Sequence, residues 1–400
     1  MSGESGGMGQ RLRALRELHD LTQQELADIA GVSKSLVSKV ETDKKPGSWD
    51  LAIAVAKALR VDAGALMGDA PSDVLEPSGR IAAALPAIRR ALATYDCPPE
   101  PMVPARPLRA VADEVDAACR MRLDAKYVPL AESIPQLMVE LSALVHTANG
   151  REREQAFWLL AAAYRCADAV VHKIGHLDLS ASAIDRISWA AERSADELMV
   201  GTAMYVRAEI FFDTGAIGSG LRLIGDAAEP LAARASSDLR AASVYGALHA
   251  RAAVLAAKNG QAEAARSHLD IAQAAAGVIG EDREYYYTSF GPSNCRIHEV
   301  AAMVELGDGA AAVAAAKDWV PPAGLPAERA SHHFIDLARA QVWERDFSGA
   351  VDSLMTARRI APQHTRSHPY AKACVEMVLR RAPRRSQATL GLATWLGISV

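Results

Sequence analysis

Gln23 to Thr42 reads QQELADIAGVSKSLVSKVET, with apolar residues at helical spacing on both sides of one glycine. Thr22 stands at the N-cap of a first helix bearing Leu26, Ile29 and Ala30, and Gly31 breaks it. Ser33 caps a second helix with Leu36, Val37 and Val40 on its inner side. Ala27 is small where the two helices cross. Leu26, Ala30, Val32, Val37 and Val40 set the crossing angle, which leaves Lys34, Ser35, Ser38 and Lys39 on a free face. Two short helices in this relation make a helix-turn-helix.

The pattern continues outward from that pair. Leu12, Leu15 and Leu18 form an apolar stripe on a preceding helix. After the loop Asp43 to Gly47, Ser48 caps a fourth helix with Leu51, Val55 and Leu59, and Leu66 closes a fifth. Residues 8–68 therefore read as a five-helix domain.

The wider stretch from Leu12 to Glu41, LRALRELHDLTQQELADIAGVSKSLVSKVE, resembles the Cro/phage-repressor (XRE) family of helix-turn-helix regulators. The resemblance implies that Thr22, Gln23 and Ser33 meet DNA phosphates, that Lys34 and Ser35 enter the major groove, and that Arg16, or Arg13, pairs with Glu41. Physical chemistry leads to the same surface. Helix N-termini capped by Thr22, Ser33 and Ser48 offer backbone N–H groups to phosphate, and Lys44 and Lys45 add cationic reach nearby. Base readout falls to Lys34, Ser35, Ser38 and Lys39, flexible readers that predict a modest sequence preference. The expected partner is double-stranded operator DNA, bound by a homodimer, because one domain this small covers little DNA and two copies about one helical turn apart are the usual arrangement.

The rest of the 400-residue chain is too long for one core, and its composition favours helices: half of it is apolar while aromatics are only 5%. The fold class expected is all-α. Residues 69–107 read as a hinge, with one helix from Ser78 to Tyr95 and a proline-rich run from Cys97 to Pro107 suited to a semi-rigid connection.

From Leu108 onward, turns at Lys173-Ile174-Gly175, Asp213-Thr214-Gly215, Lys258-Asn259-Gly260, Glu305-Leu306-Gly307 and Glu344-Arg345-Asp346 recur at intervals of 40, 45, 47 and 39 residues. Each precedes an alanine-rich amphipathic helix. Residues 108–400 thus resemble a tetratricopeptide-like helical solenoid with a period longer than the ~34-residue standard. Such a body is expected to dimerise and to take a small-molecule or peptide effector.

The densest aromatic and polar cluster, Tyr285, Tyr286, Tyr287, Phe290, Asn294 and His298, is the candidate effector pocket, with packing of a long loop as the alternative. Net charge is −4, so the chain is not coated in nucleic acid, and any basic patch must be local. The five cysteines are too far apart for a disulfide framework or zinc knuckle, and read as reduced, buried thiols. His172 with His176, and His364 with His368, stand four apart, but without an acidic or thiolate ligand they read as caps or surface residues, and no metal or cofactor is expected. No phosphate loop or nucleophile motif occurs, which argues against an enzyme. The polar start and the lack of a long uninterrupted apolar run point to a cytoplasmic protein without membrane attachment. The competing function is an interaction scaffold or antagonist that uses its repeats, with a minor DNA-binding role.

Overall fold

Thr22 opens the central helix pair as its sequence demands: its hydroxyl accepts from Glu25 N at 3.2 Å, and the Glu25 carboxylate takes the Thr22 N–H at 2.7 Å. This reciprocal capping box satisfies two N–H groups that the helix itself cannot. At the other end Gly31 has φ +67°, the left-handed turn a glycine adopts without penalty, and Val32 N reaches back to Ala27 O at 2.9 Å. The computed structural model describes residues 8–18, 21–42, 44–45, 47–59, 77–98, 106–382 and 385–398. The fifth head helix with Leu66, and residues 99–105 of the proline-rich run, lie outside them.

Two compact units are present, Met1–Arg89 and Arg90–Val400. In the first, α1 (Met8–Leu18), α2 (Gln23–Ala30), α3 (Lys34–Glu41) and α4 (Trp49–Leu59) enclose Leu12, Leu15, Leu26, Ala27, Val37, Val40, Leu51, Ala52, Val55, Ala56 and Leu59. Ser33 and Ser48 cap α3 and α4, each accepting from the third amide of its helix at 3.2 Å. Ile29 is an exception to the expected stripe. It is 56% exposed, because an eight-residue helix presents only its Leu26–Ala27 side to the core.

The boundary between the units falls within α5 (Pro77–Ala93), the helix expected in the hinge. Its last turn and the residues after it pack on the second unit: Arg186 donates to Leu92 O at 3.3 Å and lies 3.6 Å over the Tyr95 ring, whose edge meets Trp189. Part of the segment read as hinge therefore belongs to the body.

The second unit is a stack of helices: α6 (Leu108–Leu123), α7 (Tyr127–Thr147), α8 (Gly150–Lys173), α9 (Leu177–Ala191), α10 (Glu197–Arg207), α11 (Glu209–Thr214), α12 (Ile217–Ala228), α13 (Leu239–Lys258), α14 (Ala262–Ile279), α15 (Pro292–Glu305), α16 (Gly309–Ala316), α17 (Ala327–Trp343), α18 (Phe347–Ile360), α19 (Pro362–Ser367), α20 (Pro369–Arg381) and α21 (Gln387–Trp395). Helices adjacent in sequence pair, most extensively α8 with α9, α13 with α14 and α17 with α18. The arrangement is a helical repeat-like body of paired helices, and no strand occurs among the described residues.

All five expected turns carry a left-handed residue: Gly175, Gly215, Gly260, Gly307 and, without glycine, Arg345. In four of them the next amide closes on the carbonyl five residues back, as in His176 N to Val171 O at 3.0 Å and Asp346 N to Gln341 O at 2.8 Å. Small residues then let the helices approach. Gly201 of α10 sits where an added Cβ would lie 3.0 Å from Val244 on α13. Among the described residues one helix, α7, has the length and apolarity of a membrane span, but most of it is buried within the body. The cysteines are free as expected, although Cys97 is exposed rather than buried.

Candidate nucleic-acid interface

The outer face of α3 is held from behind by a buried ion pair. Arg16 Nε and Nη2 donate to the two Glu41 carboxylate oxygens at 2.7 and 3.1 Å, and Arg16 Nη1 donates to Leu21 O at 2.8 Å. The Glu41 side chain is 1% exposed, so the pair is shielded from solvent. Its hydrogen bonds to Glu41 hold the Arg16 guanidinium firmly protonated. Of the two arginines implied by the family resemblance, Arg16 is the partner, since Arg13 bonds Glu17 at the surface. This bidentate pair fixes the end of α3 against α1 and the entry to α2.

With its apolar side fixed in this way, α3 leaves Lys34, Ser35 and Lys39 exposed and Ser38 half-buried on the other side. The turn after α3 is tied back by Lys44 N and Lys45 N to Lys39 O at 2.8 and 3.1 Å, and both lysine side chains are exposed. Among the described residues no ion pair engages Lys34, Lys39, Lys44 or Lys45. Four free ammonium groups along one helix and its following turn make a local cationic strip on an otherwise acidic chain.

The expected phosphate contacts are placed unevenly. Ser33 and Ser48 are exposed, and their hydroxyls keep a proton to donate while capping their helices. The N-terminus of α3 carries Lys34 and no acid in its first turn, a favourable seat for an anion. At Thr22 the Glu25 carboxylate already takes the backbone N–H, so the α2 terminus attracts phosphate less strongly. Gln23 is turned inward: its Nε2 donates to Glu41 Oε2 at 2.7 Å, which ties it to the buried pair.

In the body, the aromatic cluster forms a strap between α14 and α15. Phe290 is fully buried, and Asn294, 1% exposed, donates to Ser289 O at 2.8 Å. Both pack the core, which corrects their assignment to a ligand-lining surface. Tyr286 and Tyr287 have φ +53°, and their carbonyls receive Arg165 Nη1 at 3.1 Å and Arg122 Nη2 at 2.8 Å. Their hydroxyls donate to Asp196 and Asp116 at 2.8 and 3.1 Å, and both rings lie against Trp158. Tyr285 is half-buried on the same strap, and His298 is buried with Nδ1 at 2.8 Å from Asn294 O. A groove of about 520 Å³ between α14, α15 and α16 is lined by Gln273, Arg296 and Glu299 among others, and by none of these six residues.

Phe290 occupies the space opened by Gly246 in the middle of α13. A methyl at Gly246 would collide with the Phe290 ring and lie 3.0 Å from Ala275 Cβ. Gly246→Ala is therefore expected to cost about 1–3 kcal/mol despite alanine's better helix propensity. The urea midpoint of the body measures this, and an unchanged midpoint would refute the close fit.

Behind the strap lies a polar cluster. Arg122 of α6, Arg165 and Lys173 of α8, Tyr205 of α10, Glu209 of α11, Arg251 of α13, and Glu328 and Arg329 of α17 converge there. Arg329 Nη2 donates to Tyr205 OH at 2.9 Å, Arg251 stacks 4.3 Å over the Tyr205 ring, and Glu328 lies 3.6 Å from Lys173 and 3.9 Å from Arg122. Burial raises the Tyr205 hydroxyl, but Arg251, Arg329 and Arg165 outweigh it and bring it down to about 8. Burial and the neighbouring Arg122 lower Arg165 to about 10. The Nε atoms of Arg122, Arg251 and Arg329 are buried with no hydrogen-bond partner. Buried donors of this kind are costly unless something accepts from them.

Comparison with known proteins matches residues 8–67 to the helix-turn-helix domain family. The head is an XRE-type helix-turn-helix domain. Over 62 residues it is 37% identical to the immunity repressor protein of Bacillus phage phi105; the match covers 16% of this chain and 43% of that relative's length. A looser likeness relates 68% of the chain to 95% of Bacillus thuringiensis PlcR, crystallised with the peptide PapR7 and DNA, at 16% identity and a TM-score of 0.30.

Proposed function

We propose that the protein is a non-enzymatic, cytoplasmic transcription regulator that reads operator DNA with Lys34, Ser35, Ser38 and Lys39. The observation that carries this reading is the α3 face: an unpaired cationic strip on a helix that the Arg16–Glu41 pair holds in register. Lys34 suits guanine O6 and N7, the serines suit either base, and Lys44, Lys45, Ser33 and Ser48 suit phosphates. Two heads on a homodimer would span half-sites one helical turn apart. The body would take an effector bearing an anionic group, such as a small carboxylate or a peptide, because Arg122, Arg251 and Arg329 keep unspent buried donors.

The test is footprinting on the protein's own upstream region. Lys34→Ala with Ser35→Ala is expected to abolish the preference for the protected site while binding to bulk DNA persists. Lys44→Ala with Lys45→Ala is expected to weaken all DNA alike and flatten the salt dependence. An intact specific footprint in the first double variant would overturn the assignment.

A further inference from the structure

His332 of α17, His364 of α19 and His368 at the start of α20 each bring one ring nitrogen within 4.8 Å of the other two. The pair four apart in sequence, read as caps or surface residues, is in fact buried: His364 is 0% exposed and His368 7%. His332 joins them from another helix, its ring 5.9 Å from His364 and 5.1 Å from His368. His368 does cap α20, with Nδ1 accepting from Tyr370 N at 3.3 Å.

The hydrogen bonds around His364 are compatible with a tautomer that frees Nε2. Ser331 Oγ lies 3.0 Å from Glu328 O and 2.7 Å from His364 Nδ1, so with the hydroxyl proton on the carbonyl the ring N–H is the donor at Nδ1. In that tautomer Nε2 of His364 is an unprotonated lone pair. It is buried and has no hydrogen-bond partner. A neutral imidazole with its far nitrogen fixed by a donated bond and its near nitrogen empty is the state a metal ligand needs. Behind His332, the Asp336 carboxylate stands 3.5 Å from Nε2, a placement that orients a coordinating ring. Lys173, whose charge is felt at both buried rings, is held by Glu328 at 3.6 Å.

We infer that His332, His364 and His368 form a site for one divalent transition metal of the zinc type, with three imidazole ligands and an open fourth position. Imidazole nitrogens suit this class of ion, and three protein ligands with a vacancy leave room for water or an anionic ligand atom. At bond lengths of about 2.0–2.1 Å, tetrahedral ligands lie about 3.4 Å apart, so the rings close inward on binding. His332, on the rim with 38% of its side chain exposed, has the freedom to do so, and the long Tyr370 cap on His368 gives way. The ion would join α17 to α19 and α20 and stiffen the C-terminal end of the solenoid.

The experiment uses untagged full-length protein, stripped with chelator and titrated with cobalt(II), whose visible absorption reports tetrahedral coordination. One cobalt per chain is expected, displaced by zinc. His332→Gln, whose rim position spares the core, and His364→Gln are each expected to weaken binding at least tenfold. His176→Gln should leave it unchanged. Circular dichroism confirms folding, and His332→Gln keeps the test decisive should His364→Gln unfold. Absence of stoichiometric cobalt binding by the wild-type chain, or undiminished binding by His332→Gln, overturns the site.

Discussion

Glu41→Ala is expected to unfold the head at room temperature and to abolish binding to all DNA, while the body stays folded. Glu41 takes both charged hydrogen bonds of Arg16 from the buried side, and it also receives Gln23 Nε2. Removing it leaves a guanidinium 12% exposed with, among the described residues, only the Leu21 carbonyl and the edge of Glu17, 3.5 Å away, as acceptors. Breaking a buried pair by deleting one partner costs about 3–5 kcal/mol, since the remaining charge stays desolvated and uncompensated. A domain of this size rarely holds more than about 3–5 kcal/mol in total. The loss therefore matches the whole stability of the unit. Losing a single capping hydroxyl, as in Ser33→Ala, costs only about 1 kcal/mol and should leave the head folded.

Calorimetry of the full chain checks this. The head transition should disappear in Glu41→Ala and shift only slightly in Ser33→Ala, with the body transition unmoved in both. A head that still melts near its original temperature without Glu41 would show that the pair sets geometry but contributes little stability.

What could be read from the sequence was what is local. Caps at Thr22, Ser33 and Ser48 and the turns ending at Gly31, Gly175, Gly215, Gly260 and Gly307 each depend on a few adjacent residues with one conformational preference. The left-handed turns at Ala125 and Ala195 carry no such mark, because stacking of the flanking helices imposes a conformation alanine does not favour. Gly246 and Phe290 make sense only as a pair, and they are 44 residues apart. The same limit explains the inner cluster. Arg122, Lys173, Glu328 and Arg329 each look like one polar residue on an amphipathic helix, and only the superposition of the helices brings them together. His364 and His368 were visible as a spacing, but His332 was not. Gln23 was read from the family pattern as a phosphate contact, yet its Nε2 is committed to Glu41, which only the crossing of α2 and α3 reveals.

Acid should destabilise the body well before ordinary carboxylates titrate. Burial lowers His298 to about 3, and the charges of Arg329, Arg251 and His332 facing it act in the same direction. Burial, with His268 2.9 Å away, lowers His249 to about 4, and burial lowers His268 itself. In the unfolded chain each of these rings takes a proton near pH 6.5. Between that pH and about 4, the unfolded state binds protons that the folded state refuses, so stability falls as pH falls, by about 1.4 kcal/mol per pH step for each excluded proton.

Asp168 acts in the opposite sense. Burial and Glu209 raise its carboxyl to about 7, so below that pH the folded state holds a proton that the unfolded chain releases, and its contribution grows as pH falls toward 3.8. Burial also lowers His333 to about 4 and lowers His332, His364 and His368, so in the metal-free body the histidines outweigh the one carboxyl, and each net excluded proton costs about 1.4 kcal/mol per pH step. Glu209, held near 2 by His172, Arg251 and Lys173 against its own burial, adds a further loss only below about pH 4.5.

Urea unfolding in chelator at pH 7.5, 6.5, 5.5 and 4.5 should show a midpoint that drops steeply below 6.5. Asp168→Asn keeps a side chain able to bond Ser180, whose hydroxyl lies 2.6 Å from Asp168 Oδ1, and removes the one opposing proton, so its profile should be steeper than the wild type. His298→Gln should be shallower by about one proton. A midpoint flat from pH 7 to 5, or a shallower profile in Asp168→Asn, would mean that these groups titrate alike in the folded and unfolded chains.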